Sequence, residues 1–321
     1  MARTLAGSVW FRALVTAALL GWVGARIDWS KMGDRLADGS PGLFVVAVLL
    51  VAATLAVGAI RWGRVLVTLD LPASHGRVAR MYAISSFTST FLPTSLGGDV
   101  ARALMMARRG PRLTRALLSI LIDRAAGLAG LLIVAWAGVA LERDAVPDSA
   151  LTALLIATAA AVVVAGVVLL LAFRARGLGR RLPTRVSDIL QQAREATLTC
   201  LRDRELLVWL LLSSIAFQVL VVLQTVVVAD AIGADLPFST AAVAVALVNV
   251  AILMPISVAG FGVREASYVV VLGEAGISAT DATLISLISV AALLLASLPG
   301  ALLLLKRGAT QETAASPEQL P

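Results

Sequence analysis

Two arginines stand at matching places in two short, proline-broken stretches of an otherwise apolar chain. The first stretch reads Leu92-Pro93-Thr94-Ser95-Leu96-Gly97-Gly98-Asp99-Val100-Ala101-Arg102, the second Met254-Pro255-Ile256-Ser257-Val258-Ala259-Gly260-Phe261-Gly262-Val263-Arg264. From each proline, Ser follows two residues on, Gly five on and Arg nine on. Pro lacks a donor N–H and Gly accepts positive φ, so both suit a point where a helix stops and restarts. The restarting arm, beginning near Asp99 or Gly262, would aim free N–H groups and a positive dipole end inward. Such an end attracts an anion, and a phosphate headgroup is the natural candidate. Arg102 and Arg264 could grip it from the cytoplasmic and external vestibules, with Ser95 and Ser257 adding hydroxyl contacts. A structural role also suits each arginine: Asp99 with Arg102 is an i, i+3 ion pair, and either can snorkel to an interface.

The carboxylates near these arginines have competing readings. Asp99 would serve as N-cap of the restarting helix, or as a protonatable coupling group. Asp123 and Arg124 sit about a third of the way into a long apolar segment, where charge costs ~2.5–3.5 kcal/mol even on a lenient insertion scale. Neighbours at i, i+1 do not face each other on a helix, so each needs its own partner. The pairs Asp123 with Arg102 and Arg124 with Asp99 satisfy both, as part of a site or as an ion network holding the broken segment. Gln218, Gln224 and Asn249 are expected to bond between helices, and Gly127 and Gly130 to permit close helix packing.

Composition limits the chemistry available. Hydrophobic residues make up 59% of the chain and charged residues 15%, against about a quarter charged in a soluble domain. Backbone hydrogen bonding in lipid then demands helices, and the alternation of a barrel is absent. His75 is the only histidine and Cys200 the only cysteine. That removes Ser-His-Asp triads, multi-histidine metal sites and an internal disulfide framework. No Walker motif is present, and neither a cofactor nor an enzymatic activity is expected. An intramembrane enzyme acting on lipids would have only Asp99 and Asp123 as candidate carboxylates. The net charge of +7 sits in short loops without a basic, aromatic-interleaved domain, which argues against nucleic acid.

Those residues are held by a repeated pattern of segments. Six read as full crossings, about 9–27, 43–60, 116–140, 151–173, 206–229 and 282–305. Arg12 inside the first argues for a retained helix over a cleaved signal peptide. Two more stretches, about 78–107 and 240–275, carry the motifs; their arms of ~10–17 residues are too short to span, so both read as re-entrant hairpins. With the N-terminus in the cytoplasm, twenty Lys and Arg fall inside and five outside (Arg26, Lys31, Arg35, Arg143 and Arg264), as the positive-inside rule requires. Each half then reads helix, helix, hairpin, helix, about 1–145 and 146–308, an inverted-topology repeat within one transmembrane domain. The hairpins would meet near the midplane. Residues 174–205 hold eight arginines and apolar residues at helical spacing. They suit an amphipathic helix on the anionic leaflet or a solvated linker between halves. Residues 309–321 read as a disordered cytoplasmic tail.

FLPTSLGGDVARA, SILIDRAAGLAGLL and LMPISVAGFGVREA, in that order, resemble the lysylphosphatidylglycerol synthase transmembrane-region family, also called flippase-like. The resemblance covers about 10–305. It implies an all-α polytopic membrane protein, and in bifunctional members a module that moves aminoacylated phosphatidylglycerol between leaflets. The soluble domain that makes that lipid from aminoacyl-tRNA is not in this sequence, so no synthase activity is carried over. The recurring motif residues fall on Pro93, Ser95, Gly97, Gly98, Asp99, Arg102, Asp123, Arg124, Pro255, Ser257, Gly260, Gly262, Arg264 and Glu265. The expected function is movement of a phospholipid or lipid-linked intermediate between leaflets of the cytoplasmic membrane, both termini cytoplasmic. The headgroup site would draw on Ser95, Gly98, Asp99, Arg102, Asp123, Arg124, Ser257, Gly260, Arg264 and Glu265. The expected partners are membrane lipids, anionic or phosphate-bearing, with a second copy of the chain or an envelope enzyme as possible associates. The alternative is a non-transporting partner of a lipid- or glycan-modifying envelope enzyme.

Overall fold

Runs of apolar residues longer than a bilayer core is thick force helices, and helices are what forms. A computed structural model of the chain describes residues 2–91, 97–107, 111–178, 184–254 and 256–314. In chain order the helices are α1 (Ala2–Gly24), α2 (Trp29–Ala37), α3 (Pro41–Thr68), α4 (His75–Phe91), α5 (Gly97–Met106) and α6 (Pro111–Leu141). A single 3-10 turn at Arg143–Ala145 leads to α7 (Asp148–Leu178), α8 (Thr184–Arg202), α9 (Arg204–Ala231), α10 (Phe238–Leu253), α11 (Val263–Glu274) and α12 (Ala279–Ala314). No strand occurs among the described residues.

Helices α3, α6, α7, α9 and α12 are each long and apolar enough to cross a membrane. The 28 residues of α3 and of α9 reach about 42 Å at 1.5 Å per residue, ample for a ~30 Å hydrocarbon core. The sixth expected crossing is α1, which turns through 80° into α2. That short helix starts on an Asp28 cap, whose carboxylate accepts from the Lys31 N–H at 3.2 Å. It is held by Arg35, 3.4 Å from Asp281 at the start of α12 and donating to the Ile232 carbonyl at 2.9 Å.

The motif segments form two helical hairpins. Helix α5 folds back on α4, and α11 on α10. Their arms of 17, 10, 16 and 12 residues correspond to about 26, 15, 24 and 18 Å, short of the hydrocarbon core. In the first hairpin, Gly98 is where the arms touch: a Cβ there would lie 2.0 Å from Ser89 Oγ and 2.2 Å from the Ser85 carbonyl oxygen. In the second, Gly260 (φ +81) approaches Ile252 and Gly262 (φ +81) is the N-cap of α11. Position five after each proline is thus the crossing point of both hairpins. The prolines Pro93 and Pro255 themselves, and Ser95, lie outside the described residues.

Packing exchanges partners between the halves. The central pair is α3 with α9; α4 lies on α12 as α10 lies on α6, and α5 lies on α6 as α11 lies on α12. Among the described residues α6 and α12 each pack on an arm of both hairpins and neither hairpin packs along the other; the tips expected to meet, 92–96 and 255, lie outside the described residues. Helix α10 is buried nearly all round, from Ser239 to Val248, so its small Ala and Val side chains allow neighbours to close in. Helix α7 is the reverse, with Val162, Val163, Val164 and Val167 exposed as a lipid-facing helix requires.

Helix α8 is neither a free linker nor a detached surface helix. Ala196 and Cys200 on its inner side are buried against Val65 and Leu69 of the α3 end and Leu206 and Leu210 of α9. Helix α12 runs on to Ala314, past the start of the expected tail, and residues 315–321 lie outside the described residues.

Cys200 reports on this docking. Its burial, with the nearby Asp203 charge, pushes the thiol up to about 11. At pH 8 roughly one thiol in a thousand is then ionised. Maleimide should label Cys200 far more slowly in the folded protein than after denaturation, and rapid labelling of folded protein would show that α8 is undocked.

Candidate functional site

Three arginines and two aspartates are drawn together where α3, α5 and α6 converge beside α9. Arg61 of α3 donates from Nε to Asp123 Oδ1 at 2.8 Å and from Nη1 to Ser214 Oγ of α9 at 3.1 Å. The other oxygen of Asp123 accepts from Arg102 Nη2 at 3.1 Å, and the same nitrogen lies 3.1 Å from Asp99 Oδ1. Asp99 Oδ2 accepts from Arg124 Nε at 2.7 Å. The result is a continuous chain, Arg61–Asp123–Arg102–Asp99–Arg124, alternating in sign and ending in a cation at each end. Its formal charge is +1.

Burial decides what this chain can do. The side chains of Arg61, Asp123 and Arg102 are 5, 4 and 3% exposed and that of Asp99 is 10%. Arg124 is 40% exposed. Four links are enclosed and one end reaches the surface. Leaving any of the four unpaired would cost several kcal/mol, because a buried charge loses its hydration without replacement. Aromatic faces complete the enclosure. Arg102 lies 4.7 Å from the Trp62 ring centre and 5.1 Å from that of Tyr82, and Arg61 lies 5.1 Å from Phe217. Trp62 is fixed in turn by donating Nε1–H to Ser119 Oγ at 3.0 Å. One donor remains: Arg102 Nε is buried without a hydrogen-bond partner among the described residues.

The cross-helix pairs expected from the sequence, Asp123 with Arg102 and Arg124 with Asp99, both form. Asp99 is not the N-cap, however. Helix α5 begins at Gly97, so Asp99 is its third residue, still within the first turn where a carboxylate favours the dipole. Arg102 does not face an open vestibule in this arrangement; both carboxylates claim it. Arg61 was expected as a cytoplasmic loop charge and is instead the buried end of the chain, seven residues before the end of α3. Its position at the edge of an apolar run hid it. Gly127 leaves room for it: a Cβ there would sit 3.6 Å from Arg61 Nη2.

The second hairpin is built on the same spacing with different chemistry. Arg264 is half-buried and forms no ion pair among the described residues. Glu265 is 1% exposed; its Oε2 accepts the Gly262 N–H at 2.6 Å and its Oε1 the Ser286 hydroxyl at 3.1 Å. This is the glutamate half of a capping box, the N-cap glycine having no side chain to complete it, with α12 supplying an extra donor. Ser257 is buried nearby, and the Val258 N–H donates to Thr16 Oγ1 of α1 at 3.0 Å. Of the described motif positions, Asp99, Arg102, Asp123 and Arg124 join the ionic cluster at the first hairpin, while Gly262 and Glu265 form a capped turn at the second.

The other polar groups stitch helices together. Gln218 donates to the Gly127 carbonyl at 3.2 Å and Gln224 to Ser289 Oγ at 3.0 Å, both between helices as expected. Asn249 instead donates to the Val245 carbonyl of its own helix at 2.8 Å. Gly130 lets α6 meet α9, since a Cβ there would lie 2.7 Å from Ser214.

Asp123 carries two enclosed arginines, Asp99 one enclosed and one half-exposed. Asp123→Asn should cost about 3–5 kcal/mol of stability, and Asp99→Asn distinctly less. Thermal unfolding of both variants in detergent micelles checks the order; equal losses would mean that the network is not graded by burial.

No curated protein and no solved structure matches this chain. The family model described as the lysylphosphatidylglycerol synthase TM region matches residues 9–300, taking in every charge of the cluster and both hairpins. The chain belongs to that family.

Proposed function

We propose that this protein moves an anionic or phosphate-bearing lipid between the leaflets of the cytoplasmic membrane, its headgroup passing the buried charge cluster while the tails stay in lipid. The observation that carries the reading is the excess cation. A chain of five charges at membrane depth could be neutral with one arginine fewer, yet it keeps Arg124 at the surface and a spare Arg102 donor inside. A phosphate arriving at Arg124 would replace Asp99 as its acceptor, in the bidentate geometry guanidinium groups favour. Arg264, half-buried and without an ion pair among the described residues, is the matching cation of the second hairpin. In this reading Gly98 and Gly260 shape the two turns, Ser257 lines the second, and Asp123 holds Arg102 in place.

The packing supports an inverted repeat. Exchanging α1–α6 for α7–α12 maps α3 onto α9 and converts each hairpin's packing on α3, α6, α9 and α12 into that of the other, while α1 and α7 pack on the second hairpin and not the first. Such repeats let one half open as the other closes. The excess of basic residues on one side supports cytoplasmic termini. Enclosure of four of the five charges favours a second reading, a static module that partners a lipid- or glycan-modifying envelope enzyme.

Liposomes with labelled lipids separate the two. Wild-type protein should accelerate leaflet exchange of an anionic phospholipid, and Arg124→Ala and Arg264→Ala should each slow it roughly tenfold or more, the worth of one charge-assisted hydrogen bond. If no lipid class moves faster with protein than without, transport is wrong and the partner reading stands.

A further inference from the structure

Glu265 is a carboxyl group enclosed by protein and matched only by neutral donors. It is 1% exposed, whereas Asp99 and Asp123, also buried, each contact two guanidinium groups. The elements around it bring no compensating charge. On its own helix, Arg264 is the adjacent residue and faces elsewhere, and Tyr268 lies one turn on. Helix α12 presents Ser286; its acidic residue, Asp281, is more than a turn away and already engaged by Arg35 and Lys31. Helix α10 carries no charged residue along Phe238–Leu253. Helix α1 sets Thr16 and Leu19 against the Gly262 turn, with Arg12 a further turn away and Arg3 more than two turns beyond that. Among the described residues no cation lies within ion-pairing distance of Glu265.

The first hairpin has no carboxylate at this register. Ten residues after Pro93 it has Ala103, fully buried, where the second has Glu265. Helix α5 already runs from Gly97, four residues earlier in the shared register than the start of α11, so at this register only the second hairpin sets an acid at a helix start. We propose that Glu265 is a proton-binding site that couples protonation to release of the second hairpin.

The chemistry is a single proton transfer. Ionised, the carboxylate accepts two hydrogen bonds, from the Gly262 N–H and from Ser286, and so ties the turn and α11 to α12. A proton taken from the water phase onto a carboxylate oxygen removes the charge that strengthens both bonds. The neutral acid no longer pays to stay beside a polar turn, and the turn at Gly262 and Gly260 is freed to repack. Return of the proton to water restores the clamp. Coupling of this cycle to lipid movement rests on the transport reading above; the proton site itself does not.

Infrared spectroscopy of the protein in liposomes reads the site directly. The wild type should show a protonated-carboxyl C=O band that disappears as pH is raised, and Glu265→Gln should lack it. A Glu265→Gln spectrum that keeps the whole band, or a wild type with no such band at any pH at which it stays folded, overturns the proposal. If Glu265→Gln fails to fold, Ser286→Ala decides: losing the hydroxyl that donates to the carboxyl must shift the frequency of the band, and an unmoved band is equally fatal. In parallel, the rate of leaflet exchange should follow the same pH midpoint in wild type and become pH-independent in Glu265→Gln; a rate that ignores pH in wild type refutes the coupling. A wild type that moves no lipid but shows the titrating band would sink the transport reading while leaving the proton site in place.

Discussion

A guanidinium group taken out of water must find carboxylates or π-faces to replace its hydration, and this requirement organises the first half of the molecule. Arg61, Arg102 and Arg124 come from three different helices, and two aspartates serve all three. The full chain of pairs cannot form unless α3, α5 and α6 converge. The returning arm α5 has ten residues, too few to be a stable helix alone in water. It is held by Asp99 and Arg102 reaching across to α6, and by Gly98 letting it lie directly on α4. Charge compensation and close backbone approach thus do for the hairpin what length does for the spanning helices.

The same constraint is met differently in the second half, and the contrast shows what the repeat conserves. Proline, serine, glycine and arginine keep their spacing in the two motifs, and the glycine of each, Gly98 and Gly260, lies where the arms come together. The residues between them are exchanged: Asp99 is matched by Phe261, and Ala103 by Glu265. The link from α3 to α6 is ionic, Arg61 to Asp123, whereas that from α9 to α12 is neutral, Gln224 to Ser289. One hairpin is locked by paired charges, the other by a cap and one hydroxyl. The two halves thus share one backbone plan and differ in the chemistry of their locks.

Most of this was legible because the bilayer simplifies the reading. Hydrocarbon thickness fixes span length, so five crossings could be placed from apolar runs alone, and the short arms on either side of the Pro/Gly breaks could only be hairpins. Asp123 and Arg124, adjacent on one helix, had to find separate partners, and the nearest candidates of opposite sign were the right ones. What escaped was set by three-dimensional packing. Arg61 sits where an apolar run ends, and at such a place a buried arginine and a loop arginine look alike in sequence. Asn249 turned back on its own helix because the small residues of α10 leave it the Val245 carbonyl close by.

The balance of charges bears on how a headgroup could cross without a large barrier. Were the cluster neutral, an arriving phosphate would have to break a pair and strand a carboxylate in a medium that punishes unpaired charge. With an odd cation, the exchange is conservative. On the transport proposal, Arg124 would pass from Asp99 to the phosphate, while Asp99 would keep Arg102 and Arg102 would keep Asp123. The number of guanidinium–anion contacts stays the same and only the half-exposed end of the chain has to move. The buried links act as a fixed counterweight, holding Asp99 in position to take Arg124 back when the lipid leaves. A site that binds and releases an anion repeatedly needs such a standing competitor, and Asp99, between one enclosed arginine and one exposed, is placed to be it.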